Sequence, residues 1–329
     1  MKSILKTDII LTNSRSQIQA TFGSNFVFHE IYIPRGFGDV FVLPYYINKI
    51  NPDVVYFPEN IVVPFIKKSI KVVVTIHDLM FFTEQQRLFS RPWFGAIYRQ
   101  MGSFIAFRRA DCIHAYTNCI MELLKKRTVK RGTRFLVLTH GVPRRENIEE
   151  TVFADVQDDR FFYTISGDTP NKAFSFLIEA YASYRRKSHA PLDLWVTGVK
   201  NRIKEDGVFY TDYISEAEKQ FLLGKCRAFL FLSKDEGFGM PPLEALYVQT
   251  RSLLTNIPVL KELYAEVADF VEFGDVEGAS REILKLEEKK KERFCDKQWL
   301  EQFSWEHIAR RFLEELDLLA NGNPLSLNK

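Results

Sequence analysis

Residues 233–246 read Ser-Lys-Asp-Glu-Gly-Phe-Gly-Met-Pro-Pro-Leu-Glu-Ala-Leu and follow a short apolar run. Gly237 and Gly239 allow a tight loop, and Pro241–Pro242 favour the first turn of a helix. Backbone amides at such a loop bind anions, and in open parallel sheets ligands bind beyond the carboxyl ends of the strands. The stretch therefore predicts a strand–loop–helix unit that holds a phosphate or a sugar. Glu244, on the first helical turn, would point into the same cleft, where a carboxylate can bind two hydroxyls of a ribose.

Short apolar runs alternate with helical patterns along the chain. Most runs are continuous, which is typical of parallel strands covered on both faces. Helices are indicated at Lys172–Arg186, from Ser215, where Glu218 completes a capping box, and from Ser304. This order predicts an α/β protein with parallel sheets. The predicted strands lie near Ile9–Leu11, Asp53–Phe57, Lys71–Ile76, Cys112–Tyr116, Phe135–Thr139, Phe161–Ser166, Leu192–Thr197, Val208–Tyr210, Ala228–Leu232, Ser252–Thr255 and Asp269–Glu272.

The strand–helix alternation occurs twice, which predicts two domains. A length of 329 residues fits two domains of about 150 residues each, and a polar stretch at 141–159 separates the halves. We expect an N-terminal domain at 1–145 and a C-terminal domain at 155–303. A last helix at 304–320 is able to pack back on the first domain.

Charge is distributed unevenly along the chain. The net charge is only +3, but residues 85–145 carry thirteen Lys/Arg against two acids, a net of +11. Residues 146–329 carry 24 bases and 33 acids, a net of −9. A basic region of this kind concentrates anions such as phosphate substrates or anionic lipid. We expect no nucleic-acid partner, because the chain as a whole is not strongly basic and no nucleic-acid-binding module accompanies the region.

Aromatic side chains and arginines interleave between Arg87 and Arg109. This arrangement can anchor a helix at a bilayer interface, which favours a peripheral membrane contact through the region 85–145. An ordinary helix with a buried aromatic stripe and a solvated basic face explains the pattern equally well. Both interpretations stay open at the level of sequence, as does a homodimer.

Cysteine usage and hydropathy indicate a reducing compartment. None of the four cysteines forms a Cys-x-x-Cys pair, so we expect neither a disulfide framework nor a structural zinc site. No apolar run approaches the roughly 18 residues of a membrane span. The first eight residues contain no apolar core of a signal peptide. We therefore expect a cytoplasmic protein, with association at the cytoplasmic face of a membrane left open.

Five segments carry a resemblance to a known family: Val74–Leu79, Ala110–Thr117, His140–Val142, Gly167–Lys172, and Glu236 with Glu244, which are separated by seven residues. Together they resemble the retaining glycosyltransferases of family 4, the glycosyl transferases group 1. The resemblance covers about residues 53–275, most of the chain. It implies the GT-B fold, in which two Rossmann-like domains face each other across a cleft. The nucleotide-sugar donor would bind mainly to the C-terminal domain and the acceptor mainly to the N-terminal domain.

The resemblance implies roles for four charged or titratable residues. Lys172 would pair with the donor diphosphate, Glu244 would hold the ribose hydroxyls, and Glu236 would bind hydroxyls of the transferred sugar. His77, at a strand end, would sit near that sugar and the leaving phosphate. His77 and Glu236 are therefore the expected catalytic residues, with Glu236 as a sugar-binding group rather than a nucleophile.

Further positions follow from the same resemblance. The base would stack near 210–213, and loop amides would face the phosphate and the sugar. The other implied donor-binding residues are Gly167, Tyr210, Gly237, Phe238, Gly239 and Leu243. The acceptor-side candidates are Arg35, Gly36, Gly38 and Asp78. Asp78 is equally suited to cap the next element, and an ordinary turn is the favoured interpretation of the two glycines.

The resemblance also suggests the donor. Thr75–Leu79 is most similar to mannosyl-type members, which favours GDP-mannose and leaves UDP-hexoses open. The acceptor would be a glycan, a glycolipid or a protein-linked glycan. No Asp-x-Asp occurs in the chain, so we expect neither a metal nor another cofactor. Lys172 and helix dipoles would then stabilise the leaving diphosphate.

Two departures from the family pattern support an alternative. Asn171 stands where the family has a second base, and Ile9–Thr12 is followed by no glycine-rich loop, as if one strand–loop–helix unit were missing. Arg35-Gly36-Phe37-Gly38 would then replace that loop on the acceptor side. The alternative is a non-catalytic sugar-nucleotide-binding subunit that scaffolds an active partner. A GT-B phosphorylase is a weaker rival, because the chain is short for one and has no cofactor-lysine motif.

Overall fold

The computed structural model describes residues 7–11, 26–30, 38–77, 93–142, 153, 155–167, 172–200, 202–211, 214–289 and 297–321. In these ranges the strands are β1 (Thr7–Leu11), β2 (Phe26–Glu30), β3 (Val54–Phe57), β4 (Lys71–Thr75), β5 (Cys112–Ala115), β6 (Arg134–Val137), β7 (Phe161–Ile165), β8 (Asp193–Thr197), β9 (Val208–Tyr210), β10 (Phe229–Phe231), β11 (Ser252–Thr255) and β12 (Asp269–Val271). The helices are α1 (Leu43–Ile50), α2 (Trp93–Arg109), α3 (Asn118–Arg127), α4 (Phe174–Lys187), α5 (Glu216–Lys225), α6 (Met240–Tyr247), α7 (Pro258–Tyr264), α8 (Val276–Glu288), α9 (Lys297–Glu301) and α10 (Trp305–Ala320). A π-helical turn, Gly38–Val42, precedes α1.

The C-terminal sheet has six parallel strands in the order β12-β11-β10-β7-β8-β9. The chain adds β8 and β9 on one side of β7, then crosses over and adds β10, β11 and β12 on the other. The crossover lies at the β7–β10 pair, where Tyr163 is opposite Phe229. This is the Rossmann strand order, and its ligand crevice lies at the carboxyl ends of the two central strands. The loops after β7 and β10 therefore meet at the expected binding position.

The N-terminal sheet has four parallel strands in the order β3-β4-β5-β6. Its two central strands, β4 and β5, are almost entirely buried, with Val72 and Val74 fully enclosed in β4, whereas β3 and β6 at its edges are only partly buried. A separate parallel pair consists of β1 and β2. Two parallel sheets covered by helices confirm the α/β fold class.

All eleven strands predicted from the sequence are present, and the capping box of Ser215 with Glu218 is confirmed. The strand β2 was not predicted, because its apolar pattern spans only three residues before His29 and Glu30. The N-terminal region, expected to lack a strand–loop–helix unit, thus contains one strand more than the sequence indicated. Its pairing with β1 is parallel.

The last helix, α10, packs against the N-terminal sheet. Leu319, together with the half-buried Phe312, packs against Val73 of β4. Gly141 leaves room for Trp305, the first residue of this helix. A Cβ at position 141 would lie only 2.3 Å from the Trp305 ring. The chain preceding α10 is bound to the segment after β6 by a hydrogen bond from Val142 N to Phe303 O at 2.9 Å.

Helix α7 joins the two sheets from the C-terminal side. Val259 lies in the core of the N-terminal sheet, whereas Leu260 lies in a core of the C-terminal sheet. Glu262 accepts hydrogen bonds from Asn118 N at 2.6 Å and Cys119 N at 2.8 Å, at the amino end of α3. Burial alone would raise the pKa of Glu262, but these hydrogen bonds lower it, so the carboxylate stays ionised against the positive end of the helix.

His114 is a buried histidine of β5 with a defined tautomer. Its Nε2 lies 2.9 Å from the carbonyl oxygen of Leu138 and therefore carries the proton. Nδ1 then accepts from the hydroxyl of Thr75 at 2.9 Å, and Thr75 in turn accepts from Tyr56 at 2.8 Å. Burial, which disfavours the charged ring, lowers the pKa of His114 to about 4.

The low pKa of His114 predicts a pH-dependent stability. Between pH 6.5, its ordinary pKa, and pH 4 the unfolded chain binds the extra proton and the folded chain does not. The free energy of unfolding should therefore fall by about 2 kcal/mol from pH 7.5 to 5 on account of this residue. Urea unfolding across this range should show a weaker pH dependence in His114→Gln than in the wild type. The exposed His307→Gln serves as the control, and an unchanged slope in His114→Gln would contradict the assignment.

Candidate active site

Two loops meet at the crossover of the C-terminal sheet. Lys172, which follows the loop after β7, places its Nζ 2.7 Å from Oε1 of Glu236, in the loop after β10. The ammonium also lies 4.9 Å from the ring centroid of Phe231 in β10. The side chains of Lys172 and Glu236 are 24% and 11% exposed, so the pair is largely withdrawn from water. The structure thus brings together two residues that are 64 positions apart in the sequence.

The glycine-rich loop is shaped by Gly239. This residue has φ +86° and occupies the N-cap position of α6, a backbone conformation that favours glycine. Its carbonyl oxygen accepts a hydrogen bond from the Tyr264 hydroxyl at 2.7 Å. A Cβ at this position would come within 2.6 Å of Leu260 Cδ2. Glycine is therefore required both for the turn and for the close packing of α7 beneath it.

Glu244 projects from α6 and is paired with a lysine that the sequence did not identify. Lys219 of α5 places its Nζ 2.9 Å from Oε2 of Glu244 and 2.5 Å from Oε2 of Glu216. The ammonium of Lys219 offsets the negative charge at Oε2 of Glu244. Among the described residues, however, no donor is aligned for a hydrogen bond to this buried oxygen. Lys219 and Glu244 are only 15% and 11% exposed, whereas Glu216 is 63% exposed.

Burial and charge oppose each other in this cluster. Burial raises the pKa of Glu244, although Lys219 acts to lower it. Burial alone would lower the pKa of Lys219, but Glu216 and Glu244 together raise it. The ammonium therefore stays charged and supports an ionised carboxylate at a site where an isolated one would be disfavoured.

Two predicted donor-site side chains are not available to a ligand in this structure. Leu243 is fully buried in the core below the loop. Its side chain therefore does not reach the surface where the base is predicted to bind. Phe238 is 6% exposed and its ring packs toward the N-terminal sheet. The backbones of Gly237 and Phe238 are the parts that remain suited to facing a ligand.

Tyr210 ends β9, two strands away from the crossover. Its hydroxyl donates to the carbonyl of Ile203 at 2.8 Å and accepts from the same residue's N–H at 3.0 Å. The guanidinium of Arg202 lies 5.7 Å from its ring centroid. Tyr210 therefore fixes the loop between β8 and β9, and its half-buried ring lies at the edge of the sheet.

His77 lies just beyond the carboxyl end of β4 in the N-terminal sheet. Its backbone N–H donates to Oδ1 of Asn60 at 2.6 Å, and its Nε2 lies 2.6 Å from the carbonyl oxygen of Pro58. Because a carbonyl can only accept, Nε2 is the donor. In the neutral form of the ring, Nδ1 is then an acceptor.

Tyr116, at the end of β5, connects His77 with the glycine-rich loop. Its ring centroid lies 5.3 Å from that of His77 and 5.7 Å from that of Phe238. His140 packs against both Tyr116 and Phe238, at 5.4 and 6.0 Å. This cluster of aromatic rings brings the predicted residues of the two sheets to one cleft.

The acceptor-side predictions are only partly covered. Arg35, Gly36 and Asp78 lie outside the described residues. Gly38 is buried at the start of the π-helical turn before α1. Its burial agrees with a packing position, whereas a role in acceptor binding stays a prediction.

The sequence did not single out Lys219 or Tyr116. Lys219 follows the capping box on α5 directly, but its partner Glu244 lies 25 positions further along, and no local pattern connects them. Tyr116 follows β5 and His77 follows β4, and these two strands are adjacent in the sheet. The strand order would therefore have indicated that Tyr116 and His77 are neighbours.

In the described ranges no three His, Cys, Asp or Glu side chains are grouped so that they could hold a metal ion. No described helix is both long and apolar enough to cross a membrane.

The paired parallel sheets, with charged loops at a Rossmann crossover facing a second sheet across a cleft, define a GT-B architecture. The family model of the glycosyl transferases group 1 matches residues 146–297. Through this region the chain is similar to the glycosyl transferases group 1.

Curated relatives include mannosyltransferases of bacteria. The serotype-specific mannosyltransferase WbdA of Escherichia coli is 24% identical over 251 residues, which are 66% of this chain and 30% of WbdA. The O-antigen chain mannosyltransferase B of Escherichia coli is 24% identical over 173 residues, or 46% of this chain and 44% of the relative. The chain thus spans less than half the length of these relatives.

Solved structures share the fold. Sucrose-phosphate synthase of Thermosynechococcus elongatus has a TM-score of 0.62 and 16% identity, covering 89% of this chain and 81% of that one. TarM of S. aureus, solved with UDP, has a TM-score of 0.61 and 16% identity, covering 84% of this chain and 58% of TarM. At this identity the likeness shows the GT-B fold alone.

The geometry around Gly239 predicts a destabilised Gly239→Ala variant. Both the positive φ and the clash with Leu260 act against alanine, so the free energy of unfolding should fall by about 2–4 kcal/mol. Gly274→Ala is the matched control, because Gly274 has nearly the same φ, +87°, and open space around its Cβ position. Urea denaturation should show a clearly larger loss for Gly239→Ala. Equal losses in the two variants would refute the close contact.

Proposed function

We propose that the protein is a retaining glycosyltransferase that moves a hexose from a nucleotide-sugar to a glycan, glycolipid or protein-linked glycan. The observation that carries the proposal is the Lys172–Glu236 contact of 2.7 Å at the crossover of the C-terminal sheet. It places a cation for a diphosphate beside a carboxylate for sugar hydroxyls, at the position where Rossmann sheets bind ligands. The family match over residues 146–297 and the GT-B fold support the same activity.

Lys172 would exchange its partner when the donor binds. In the structure its charge is balanced by Glu236. A donor diphosphate would bring further negative charge to the same ammonium, and Glu236 would then be released to accept hydroxyls of the hexose. Lys172 and the amides after Gly237 would stabilise the charge that develops on the leaving diphosphate. No metal is needed for this step in the proposal.

His77 would act from the opposite side of the cleft. Its Nε2 is held by the carbonyl of Pro58, which fixes the ring and leaves Nδ1 as an acceptor. Such an acceptor suits a sugar hydroxyl. The ring contact with Tyr116, and from there with Phe238, places it across from the donor loop.

The donor sugar is proposed to be mannose, carried as GDP-mannose. The support is the resemblance of Thr75–Leu79 to mannosyl-type members and the names of the relatives, which are mannosyltransferases. UDP-hexoses are the alternative to be tested beside it.

We also propose that the two sheets mark two domains, 1–145 and 155–303, with α10 returning to the first domain.

A non-catalytic sugar-nucleotide-binding subunit is the second candidate. It is favoured by Asn171, which replaces the second base of the family's phosphate loop. Such a protein would bind the donor through Lys172 and Glu244 but would neither hydrolyse nor transfer the sugar. Product formation by the purified chain distinguishes the two functions.

Replacing Glu244 is expected to weaken donor binding. In Glu244→Gln the ribose hydroxyls lose a charged acceptor, so the Kd for GDP-mannose should rise about 10–100-fold. Isothermal titration calorimetry with GDP-mannose, UDP-glucose and dTDP-glucose measures this and identifies the base. Glu216→Gln is the matched control, because Glu216 contacts the same Lys219 but is well exposed. An unchanged Kd in Glu244→Gln would remove this residue from the donor site.

Replacing His77 is expected to affect the reaction rather than donor binding. His77→Ala should lower kcat at least about 100-fold, a typical loss for a positioned polar group in the transition state, with little change in the Kd for the donor. Transfer is measured with EDTA present, and His307→Ala provides the control at an exposed histidine. Wild-type turnover in His77→Ala would exclude its catalytic role. Activity that returns only with Mg²⁺ or Mn²⁺ would contradict the metal-free step.

A further inference from the structure

Lys219 lies on a side of α5 where apolar side chains are expected. Leu222 and Leu223 follow it by three and four residues, which places all three on the same side of the helix. Both leucines are fully buried, and the Lys219 side chain is only 15% exposed. A lysine on the core-facing side of a helix is costly unless its ammonium is paired. The position of Lys219 therefore depends on the carboxylates that it contacts.

The first turn of α5 fixes the backbone from which Lys219 extends. Glu218 N donates to the Ser215 hydroxyl at 3.2 Å, and Ser215 N donates to Oε2 of Glu218 at 2.8 Å. Lys219 N then donates to Ser215 O at 2.9 Å. The capping box thus holds the start of the helix in place while the Lys219 side chain reaches across to α6.

The two carboxylates that contact Lys219 differ in burial. Its Nζ lies 2.5 Å from Oε2 of Glu216 and 2.9 Å from Oε2 of Glu244. Glu216 is 63% exposed, and an ion pair with an exposed partner contributes little because water screens it. Glu244 is 11% exposed, so its charge has little help from water. The carboxylate that depends on Lys219 is therefore Glu244.

The other groups around Glu244 supply no positive charge. Burial raises the pKa of Glu244 and Lys219 lowers it, while Glu216 acts with burial. The charge of Glu244 also acts on Tyr163 of β7 and Tyr264 of α7, but burial raises the pKa of both hydroxyls, which stay neutral. The strands packed against α6, β10 and β11, carry no titratable side chain. Among the described residues Lys219 is thus the cation that compensates this carboxylate.

The two oxygens of Glu244 differ in what they can contact. Oε2 is buried and faces the Lys219 ammonium at 2.9 Å. A buried oxygen held against an ammonium is not accessible to a hydroxyl of a ligand. This leaves Oε1 as the oxygen for such a contact.

We propose that Lys219 is a positioning residue for nucleotide recognition, which holds Glu244 by Oε2 and directs Oε1 at the ribose hydroxyls of the donor. The proposal rests on the ribose role proposed above for Glu244 and adds the residue on which that role depends. A site built to accept hydrogen bonds from hydroxyls rejects an analogue that lacks them, because its charged oxygen is left unpaired. Lys219 itself does not touch the nucleotide, in contrast to Lys172, which faces the diphosphate.

Calorimetric titration of the full chain with GDP and with 2′,3′-dideoxy-GDP tests the proposal. If UDP binds the wild type more tightly than GDP, the corresponding uridine pair is used. The wild type should prefer the nucleotide with both hydroxyls at least about tenfold. Lys219→Met should raise the Kd for GDP about 3–30-fold and change the Kd for the dideoxy analogue less than about twofold. A general loss of structure would weaken both nucleotides alike.

Three further variants show how Lys219 acts. The double variant Lys219→Met/Glu244→Gln should bind GDP no more weakly than Glu244→Gln, because Lys219 acts only through Glu244. Lys219→Arg keeps the cation and should retain most of the preference for GDP. Lys285→Met is the matched control, since Lys285 also pairs with a carboxylate three residues before it, Glu282, but is 60% exposed. Circular dichroism confirms that each variant is folded before it is compared.

Two results would overturn the proposal and leave the ribose role of Glu244 standing. One is a full preference for GDP in Lys219→Met together with its loss in Glu244→Gln. The other is an equal loss of affinity for both nucleotides in Lys219→Met, which would make Lys219 a direct contact of the base or the phosphates. A preference for GDP that survives in Glu244→Gln would refute the ribose role itself, and the proposal for Lys219 with it.

Discussion

The ion pair between Lys172 and Glu236 is the contact on which the site depends. It joins the loops that follow the two central strands of the C-terminal sheet, and it does so where water has little access. A partly buried charge without a partner is costly, so the two loops stabilise each other only while both charges are present. A ligand that brings its own negative charge can take the place of Glu236. The site thus holds a pair of opposite charges, which a nucleotide-sugar is proposed to separate.

The cleft has its shape because elements of one half pack into the other. Helix α7 extends from beneath Gly239, where Tyr264 holds the loop carbonyl, to α3, where Glu262 caps the helix. Helix α10 returns from the end of the chain to the N-terminal sheet. Between these supports, Tyr116 touches both His77 and Phe238. The position of His77 relative to the donor loop therefore follows from packing between the halves rather than from its own strand alone.

The sequence predicted what depends on local pattern. Continuous apolar runs located every described strand but β2, and the glycine-rich stretch located the loop before α6, because the turn and the helix start are encoded there. Contacts between distant positions had no such signal. Lys219 beside Glu244 and the neutralisation of Arg109 by Asp111 depend on which elements become neighbours. Leu243 shows a related limit, since its position in the motif suggested ligand contact and gave no sign that the packing of α6 buries its side chain.

We expect donor binding to separate Lys172 from Glu236. A crystal structure of the protein with GDP-mannose measures this directly. We expect Lys172 Nζ within hydrogen-bond distance of a diphosphate oxygen, Glu236 on hydroxyls of the hexose, and the 2.7 Å contact between them broken. A structure in which the nucleotide is bound elsewhere and the Lys172–Glu236 contact persists would contradict the account.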